Sequence, residues 1–138
     1  MSVCNVKVAH IRHKHNNLKE WVEDDANEYV GRGGIIFIDG ARYPPQDSIW
    51  ANPFKVGQHG DRDNVVQVYK RYIKMKLEKD PELVKKLLAL DGKNLGCWCH
   101  PEKCHADVLL KLIKKYRKKE KLRKKLEEKE FIYKLEEK

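Results

Sequence analysis

The chain has 138 residues, the usual length of a single domain, and 37% of them are charged. Its formal net charge is +9, and residues 111–138 hold 13 Lys and Arg against 6 Asp and Glu, whereas the first 110 residues hold 17 against 15. A basic C-terminal segment favours a polyanionic partner, either nucleic acid or an anionic membrane face. No apolar run approaches the roughly 18 residues of a transmembrane helix, and the N-terminus lacks the apolar centre of a signal peptide. We therefore expect an intracellular protein of the cytoplasm or nucleus, with reduced thiols.

The first third of the chain predicts short elements. Residues 3–11 alternate between apolar and polar side chains well enough for a first strand. Residues 18–26 predict a short helix capped by Asn16 or Asn17. Residues 35–38 predict another strand, which ends at the turn Asp39-Gly40.

Two irregular stretches carry candidate ligand contacts. In the first, Tyr29-Val30-Gly31-Arg32-Gly33-Gly34, glycines let backbone approach a ligand closely, and Arg32 offers a fork for phosphate or carboxylate. An ordinary glycine-rich turn with a solvated Arg is the alternative. In the second, residues 43–60, Trp50 and Phe54 either anchor the loop or form a stacking wall for a base. We predict that Arg32, Gly33, Asn52 and Arg62 bind the ligand's phosphate.

The second half alternates helices and a strand, which is typical of an α/β sandwich. Asp61 predicts the cap of a helix with one apolar face, and Asp80-Pro81 predicts the start of the next, over residues 82–90. A buried strand over residues 94–98 then leads through a turn into a helix that begins near Cys104. The exposed N–H groups at such a helix start favour an anion and lower the pKa of a thiol placed there.

The cysteine-rich turn supports several kinds of site. Cys97, Cys99, Cys104 and His105 form a Cys3His set that is standard for structural zinc. Cys104 is instead a candidate nucleophile with His105 as its base. The same turn could bind a nucleotide or phosphate without covalent chemistry, with Arg32 and Arg62 as clamps. The remaining alternative is that the cysteines are buried small apolar residues and that His105 makes a structural hydrogen bond.

The last helix is predicted to pack on the body as far as Tyr116 and then to project as a charged helix. Its cations would contact phosphates without reading base sequence. The predicted nucleic-acid-binding residues are Lys114, Lys115, Arg117, Lys118, Lys119, Lys121, Arg123, Lys124 and Lys125. A solvated helix, or a contact with membrane or protein, is the alternative.

The motifs resemble those of a known family. They are, in order, Tyr-Val-Gly-Arg at 29–32, Asn-Pro-Phe at 52–54, Gly-Asp-Arg at 60–62 and Leu-Gly-Cys-Trp-Cys-x-Pro-x-x-Cys-His at 95–105. Together they resemble a small family of unknown function found in bacteria, phages and large DNA viruses, marked by NPF and CWCxPxxCH motifs. The resemblance covers about residues 3–116 and implies a compact α/β domain, but it implies no activity. Ala106 stands where that family usually has Gly.

These patterns together predict an α/β domain over residues 1–116, built as a small three-layer sandwich with a mostly parallel sheet, and a basic helical tail over residues 117–138. The predicted function is a nucleic-acid-associated or nucleotide-binding protein whose tail makes sequence-nonspecific backbone contacts. A cysteine-dependent enzyme acting on a nucleotide or nucleic acid is one alternative, and a zinc-stabilised interaction module is another.

Overall fold

A computed structural model describes residues 1–137, so Lys138, the last residue of the predicted tail, lies outside it. The elements are β1 (Ser2–Asn5), α1 (Val8–Ile11), α2 (Leu18–Glu23), β2 (Asn27–Tyr29), β3 (Ile36–Ile38), β4 (Ala41–Tyr43), α3 (Arg62–Lys79), α4 (Pro81–Leu88), β5 (Asn94–Cys97) and α5 (His105–Glu136). The α/β class is confirmed.

The central sheet has three parallel strands in the order β1-β5-β2. Asn94 of β5 pairs with Ser2 on one side and with Asn27 on the other, so all three strands start at the same edge. Because the strands are parallel, their carboxyl ends meet at the opposite edge of the sheet, where open α/β sheets bind their ligands. A small antiparallel hairpin, β3-β4, forms a second sheet.

The sheet separates two apolar clusters, because successive side chains on a strand point to opposite faces. Leu95 and Cys97 lie in the larger cluster with residues of α3, α4 and α5. The smaller cluster contains Trp21 of α2 and Tyr29, with Trp98 and hairpin residues packed against it. The predicted three-layer sandwich is confirmed by this arrangement.

The helix starts follow from local capping. Asp61 accepts a hydrogen bond from the Asn64 N–H at 2.8 Å, and Asp80 accepts one from the Glu82 N–H at 3.0 Å. Asn17 caps α2 in the same way, through the Glu20 N–H. These hydrogen bonds satisfy N–H groups that the first turn of a helix leaves unpaired, so the three predicted helix starts are confirmed.

The predicted strand over residues 3–11 is wrong in its second half. The strand ends at Asn5, whose side-chain oxygen accepts from the Lys7 N–H at 3.0 Å, and residues 8–11 form the short helix α1. Such a local side-chain hydrogen bond offers the backbone an alternative to the sheet ladder. The strand β4 was not predicted.

The helix α5 is continuous over 32 residues. The inner face of its first turns is buried, with Leu109 and Ile113 fully enclosed, whereas Tyr116 and Arg117 are half-buried and every described side chain after Glu120 is exposed. The helix therefore leaves the body where its apolar stripe thins. No helix within residues 1–137 is long and apolar enough to cross a membrane.

Candidate functional site

A cleft of about 490 Å³ opens at the carboxyl-end edge of the parallel sheet. The segments that follow β2 and β5 form its floor, the loop between β4 and α3 forms one wall, and the first turn of α5 forms another. Seven of the eight predicted catalytic, metal and phosphate residues line it: Arg32, Asn52, Arg62, Cys97, Cys99, Cys104 and His105. The fold thus brings the glycine-rich segment, the NPF motif and the cysteine motif to one place.

The eighth residue, Gly33, does not line the cleft. Its N–H donates to the Asp47 carboxylate at 2.7 Å, and a Cβ at this position would meet the Gln46 backbone at 2.5 Å. The structure therefore gives Gly33 a packing role against the loop, because a larger residue would displace backbone.

A hydrogen-bond chain holds the glycine-rich segment. Trp98 donates from Nε1 to the Tyr29 hydroxyl at 2.7 Å, and that hydroxyl donates to the Arg32 carbonyl at 2.6 Å. Burial raises the pKa of Tyr29 to about 12, so its hydroxyl keeps the proton that it donates. Gly31 leaves room for the ring, since a Cβ there would lie 2.5 Å from the Tyr29 oxygen.

Arg32 clamps the NPF motif. Its Nε and Nη2 donate to the Asn52 carbonyl at 3.1 and 2.9 Å, and Nη2 also donates to the Phe54 carbonyl at 3.1 Å. The buried Asn52 side chain donates to the Val65 carbonyl at 3.2 Å and accepts from the Phe54 N–H at 2.9 Å. Arg32 and Asn52 therefore use most of their polar atoms to fix the loop.

The two aromatic residues of this loop differ in position. Trp50 is 3% exposed, and its carbonyl accepts from the buried Tyr69 hydroxyl at 2.7 Å, so Trp50 anchors the loop on the body. Phe54 lines the cleft, with edge-to-face contacts to His59 and Tyr72 at centroid distances of 5.7 and 5.8 Å. Of the two, only Phe54 offers a ring to a ligand in the cleft.

Three thiols form the cysteine cluster on the cleft wall: Cys97, Cys99 and Cys104. Hydrogen bonding by the Cys104 thiol lowers the pKa of Cys97 to about 7 and, with help from Arg62, lowers that of Cys99 to about 6. The same hydrogen bonds, together with burial, raise the pKa of Cys104. The expected lowering at Cys104 is wrong, because its two thiol neighbours outweigh the helix N-terminus.

His105 is held in one tautomer. Its Nε2 lies 2.6 Å from the Val30 carbonyl, to which it can only donate, so in the neutral ring Nδ1 is the acceptor. The Cys104 Sγ lies 3.4 Å from that Nδ1. Burial lowers the pKa of His105, so the ring stays neutral and is a weak base toward the Cys104 thiol, whose own pKa is raised.

The cleft lining contributed by residues 1–137 includes cations and no carboxylate. Arg62 donates from Nη1 to the Lys103 carbonyl at 3.3 Å, its Nη2 pairs with Glu102 at 2.9 Å, and a hydrogen bond to Cys99 raises its pKa. Lys103 pairs with Asp63 at 3.3 Å in an exposed contact that water weakens. Arg32 and Lys55 also line the cleft. Among residues 1–137, the lining therefore contains four cationic side chains and no Asp or Glu.

No group of three or more His, Cys, Asp or Glu side chains within residues 1–137 is arranged to hold a metal ion. In the predicted zinc set, one ring nitrogen of His105 faces the Val30 carbonyl and the other faces Cys104. The zinc site of Cys97, Cys99, Cys104 and His105 stays a prediction.

The predicted nucleic-acid-binding residues all lie on α5, beyond its buried first turns. Arg117 pairs with Asp91 at 2.9 Å, Arg123 pairs with Glu120 and Glu127, and Lys119 lies 5.0 Å above the Tyr116 ring. The remaining members, namely Lys114, Lys115, Lys118, Lys121, Lys124 and Lys125, are exposed.

Sequence reasoning missed Lys55 and Lys103 in the cleft lining. Lys103 had a usable signal, because it lies inside the turn of the cysteine motif. Lys55 directly follows the NPF motif, but nothing in the sequence of residues 43–60 predicts that this loop folds over the ends of the strands.

The comparisons with known proteins agree with the motif pattern. A family model described as "Domain of unknown function (DUF4326)" matches residues 11–115. The chain is also similar to "Uncharacterized protein R718" of Acanthamoeba polyphaga mimivirus, with 32% identity over 117 residues that cover 77% of this chain and 82% of the viral protein. No solved structure matches the chain.

Proposed function

The chain belongs to the DUF4326 family, whose function is unknown, and from that starting point we propose that its cleft binds a phosphorylated ligand the size of a nucleotide. The observation that carries the proposal is the cleft lining at the carboxyl ends of three parallel strands, where the described part of the chain contributes four cations and no carboxylate. A volume of about 490 Å³ lies within the range of small-ligand sites.

Arg62 and Lys103 are the phosphate contacts in this proposal. Arg62 can exchange its present partner for a phosphate. Its ion pair with Glu102 is weak, because Glu102 is exposed and water screens the attraction. A guanidinium binds phosphate through two parallel N–H groups, whereas the Lys103 ammonium acts as a point charge. Arg32 lacks a carboxylate partner among residues 1–137 and adds positive potential behind the loop that it clamps.

Phe54 supplies the base contact in the same proposal. Its ring is half-buried on the cleft wall and is held by Tyr72 and His59, so little side-chain entropy is lost when a base stacks on it. Stacking tolerates every base, so we expect weak discrimination between bases.

The tail extends the proposal to nucleic acid. The five predicted contact lysines of the tail are exposed on a helix that leaves the body, which favours sequence-nonspecific phosphate binding. Replacing Lys118, Lys119, Arg123 and Lys124 with Gln should lower the salt slope of binding by up to about one unit for each phosphate that is no longer neutralised. Binding by a folded chain that ends at Tyr116, at unchanged affinity, would contradict the role of the tail.

The test of the cleft is calorimetric titration with nucleoside mono-, di- and triphosphates, pyrophosphate and inorganic phosphate. Arg62→Gln should weaken nucleotide binding by about tenfold or more, since a charged hydrogen bond contributes about 1.5–3 kcal/mol. Arg71→Gln is the matched control, because Arg71 is an exposed residue of the same helix outside the cleft lining. Equal affinity of the two variants, or no nucleotide binding by the unmodified chain at millimolar concentration, would refute the proposal.

A thiol-dependent enzyme acting on the bound nucleotide is the second candidate. The observation that favours it is Cys99, a half-buried thiol on the cleft wall whose pKa is lowered to about 6 by Cys104 and Arg62. A thiolate at neutral pH is a competent nucleophile, and the hydrogen bond from Cys104 stabilises that thiolate. Loss of nucleotide turnover after alkylation of Cys99, and in the Cys99→Ser variant, would support an enzyme. Turnover that neither change affects would exclude Cys99 as the nucleophile.

A further inference from the structure

A second depression, of about 600 Å³, lies between α3 and α5 and is lined by five lysines: Lys70, Lys74, Lys103, Lys111 and Lys115. We call it the lysine groove. Its one acidic lining residue among residues 1–137 is Asp107, whose carboxylate accepts from the Cys104 N–H at 3.1 Å. Apart from the exposed Lys103–Asp63 pair, no groove lysine is paired with a carboxylate within the described chain.

The lysines form two facing rows. Lys70 and Lys74 are four residues apart on α3, and Lys111 and Lys115 are four residues apart on α5. Side chains at this spacing lie on one helix face, about 6 Å apart along the axis. Two rows of ammonium groups across a trough complement a chain of phosphates, which presents a negative charge at regular intervals.

The groove runs into the cleft. Val66, Lys103 and Cys104 line both spaces, so Lys103 stands at the junction between them. At its other end, the row on α5 continues out of the body, because further lysines follow at helical spacings that keep them on one face. The complete row is Lys111, Lys115, Lys118, Lys125 and Lys129.

We propose that the lysine groove holds the phosphate backbone of a single nucleic-acid strand and leads its terminal nucleotide into the cleft. This inference rests on the proposed nucleotide site and specifies that the nucleotide bound there is the end of a nucleic-acid strand. A duplex does not suit the geometry, because paired and stacked bases cannot enter a space that holds about one nucleotide unless the base is extruded.

The experiment measures binding of labelled single strands of about twelve nucleotides, DNA and RNA, at several salt concentrations. The variant is Lys70→Gln with Lys74→Gln, and the matched control is Lys85→Gln with Lys86→Gln on α4, whose side chains are exposed and outside the groove. Removing one lysine–phosphate pair lowers the slope of log affinity against log salt by about 0.7 for a single strand. We expect a decrease of about 1.4 for the groove variant, which removes two such pairs, and none for the control.

Two further comparisons test whether the end of the strand enters the cleft and whether the partner is a nucleic acid. A linear strand should bind more tightly than its circularised form, and both should bind more tightly than a blunt duplex. Equal slopes for the groove variant and the control would overturn the proposal, as would equal affinities of the linear and circular strands. Competition by poly-glutamate as effective as that by the oligonucleotide would identify an acidic polypeptide and overturn it too.

The two proposals fail separately. Mononucleotide binding is measured on the groove variant, whose substitutions lie outside the cleft lining. Unchanged mononucleotide binding with unchanged strand binding overturns the groove alone. Loss of strand binding with retained mononucleotide binding supports it.

Discussion

Gly96→Ala tests whether the central strand is positioned by a close approach across the smaller core. A Cβ at Gly96 would lie 2.4 Å from Cη2 and 2.6 Å from Cζ3 of Trp21, and 2.7 Å from Cγ1 of Val6. Both neighbours are buried, at 4% and 1% exposure. The Trp21 ring would have to retreat by about 1 Å to reach an ordinary carbon–carbon distance.

The expected destabilisation follows from that displacement. Overpacking a well-packed core costs about 1–3 kcal/mol, and the lower backbone entropy of unfolded Ala returns about 0.4–1 kcal/mol. We therefore expect Gly96→Ala to lower the free energy of unfolding by about 1–2 kcal/mol and the melting temperature by roughly 4–8 °C. Urea unfolding followed by circular dichroism measures the first quantity, and a thermal scan measures the second.

A double-mutant cycle identifies the cause. Trp21→Phe shortens the ring that collides, so the double variant should be less destabilised than the sum of the two single variants by about 1 kcal/mol or more. Leu87→Ala is the control, because Leu87 lies in the core on the other face of the sheet and should combine additively with Gly96→Ala. A Gly96→Ala variant within about 0.5 kcal/mol of the parent, or one with no coupling to Trp21, would refute the packing argument.

Iodoacetamide should label Cys99 faster than Cys104 at pH 7, with a rate that rises through a pKa of about 6 as the thiolate forms; equal rates would contradict the assigned hydrogen bonds. Tyr69→Phe should cost about 1–3 kcal/mol in urea unfolding, because it leaves the buried Trp50 carbonyl unpaired. A chain that ends at Tyr116 should keep its melting temperature within a few degrees, since the side chains beyond are mostly exposed, and a large decrease in folded signal would contradict this. If Cys97, Cys99, Cys104 and His105 hold structural zinc, mass spectrometry of protein purified without added metal should find about one equivalent; less than about a tenth of an equivalent would contradict the zinc site.

Features that depend on near neighbours in the chain were predictable from the sequence. Asp61 and Asp80 were recognisable as caps because an N-cap contacts N–H groups only two or three residues away. The strand-turn-helix around Cys104 was recognisable for the same reason. The turn lies at the edge of the sheet where the three parallel strands end.

Features that depend on contacts between distant segments were missed or mistaken. The pKa of Cys104 is set mainly by Cys97 and Cys99. The sequence spacing of these three cysteines does not predict which way their side chains point around the turn. Gly33 was predicted to contact a ligand, but the loop residue Asp47 takes its N–H. The lysine groove exists only because α3 packs beside α5, so Lys70 and Lys74 have the sequence pattern of an ordinary solvated face.

The long helix α5 connects the cleft to the tail as a single rod. Its 32 residues span about 48 Å, and its first turn forms part of the cleft wall. The distance and the rotational phase of each tail lysine from Lys118 to Lys134 are therefore fixed relative to Cys104, because the helix is continuous between them. Inserting one residue after Tyr116 would turn all later side chains by about 100° and advance them by about 1.5 Å, while the composition of the tail stays almost the same. The register of the tail, as much as its charge, therefore decides which way its lysines face.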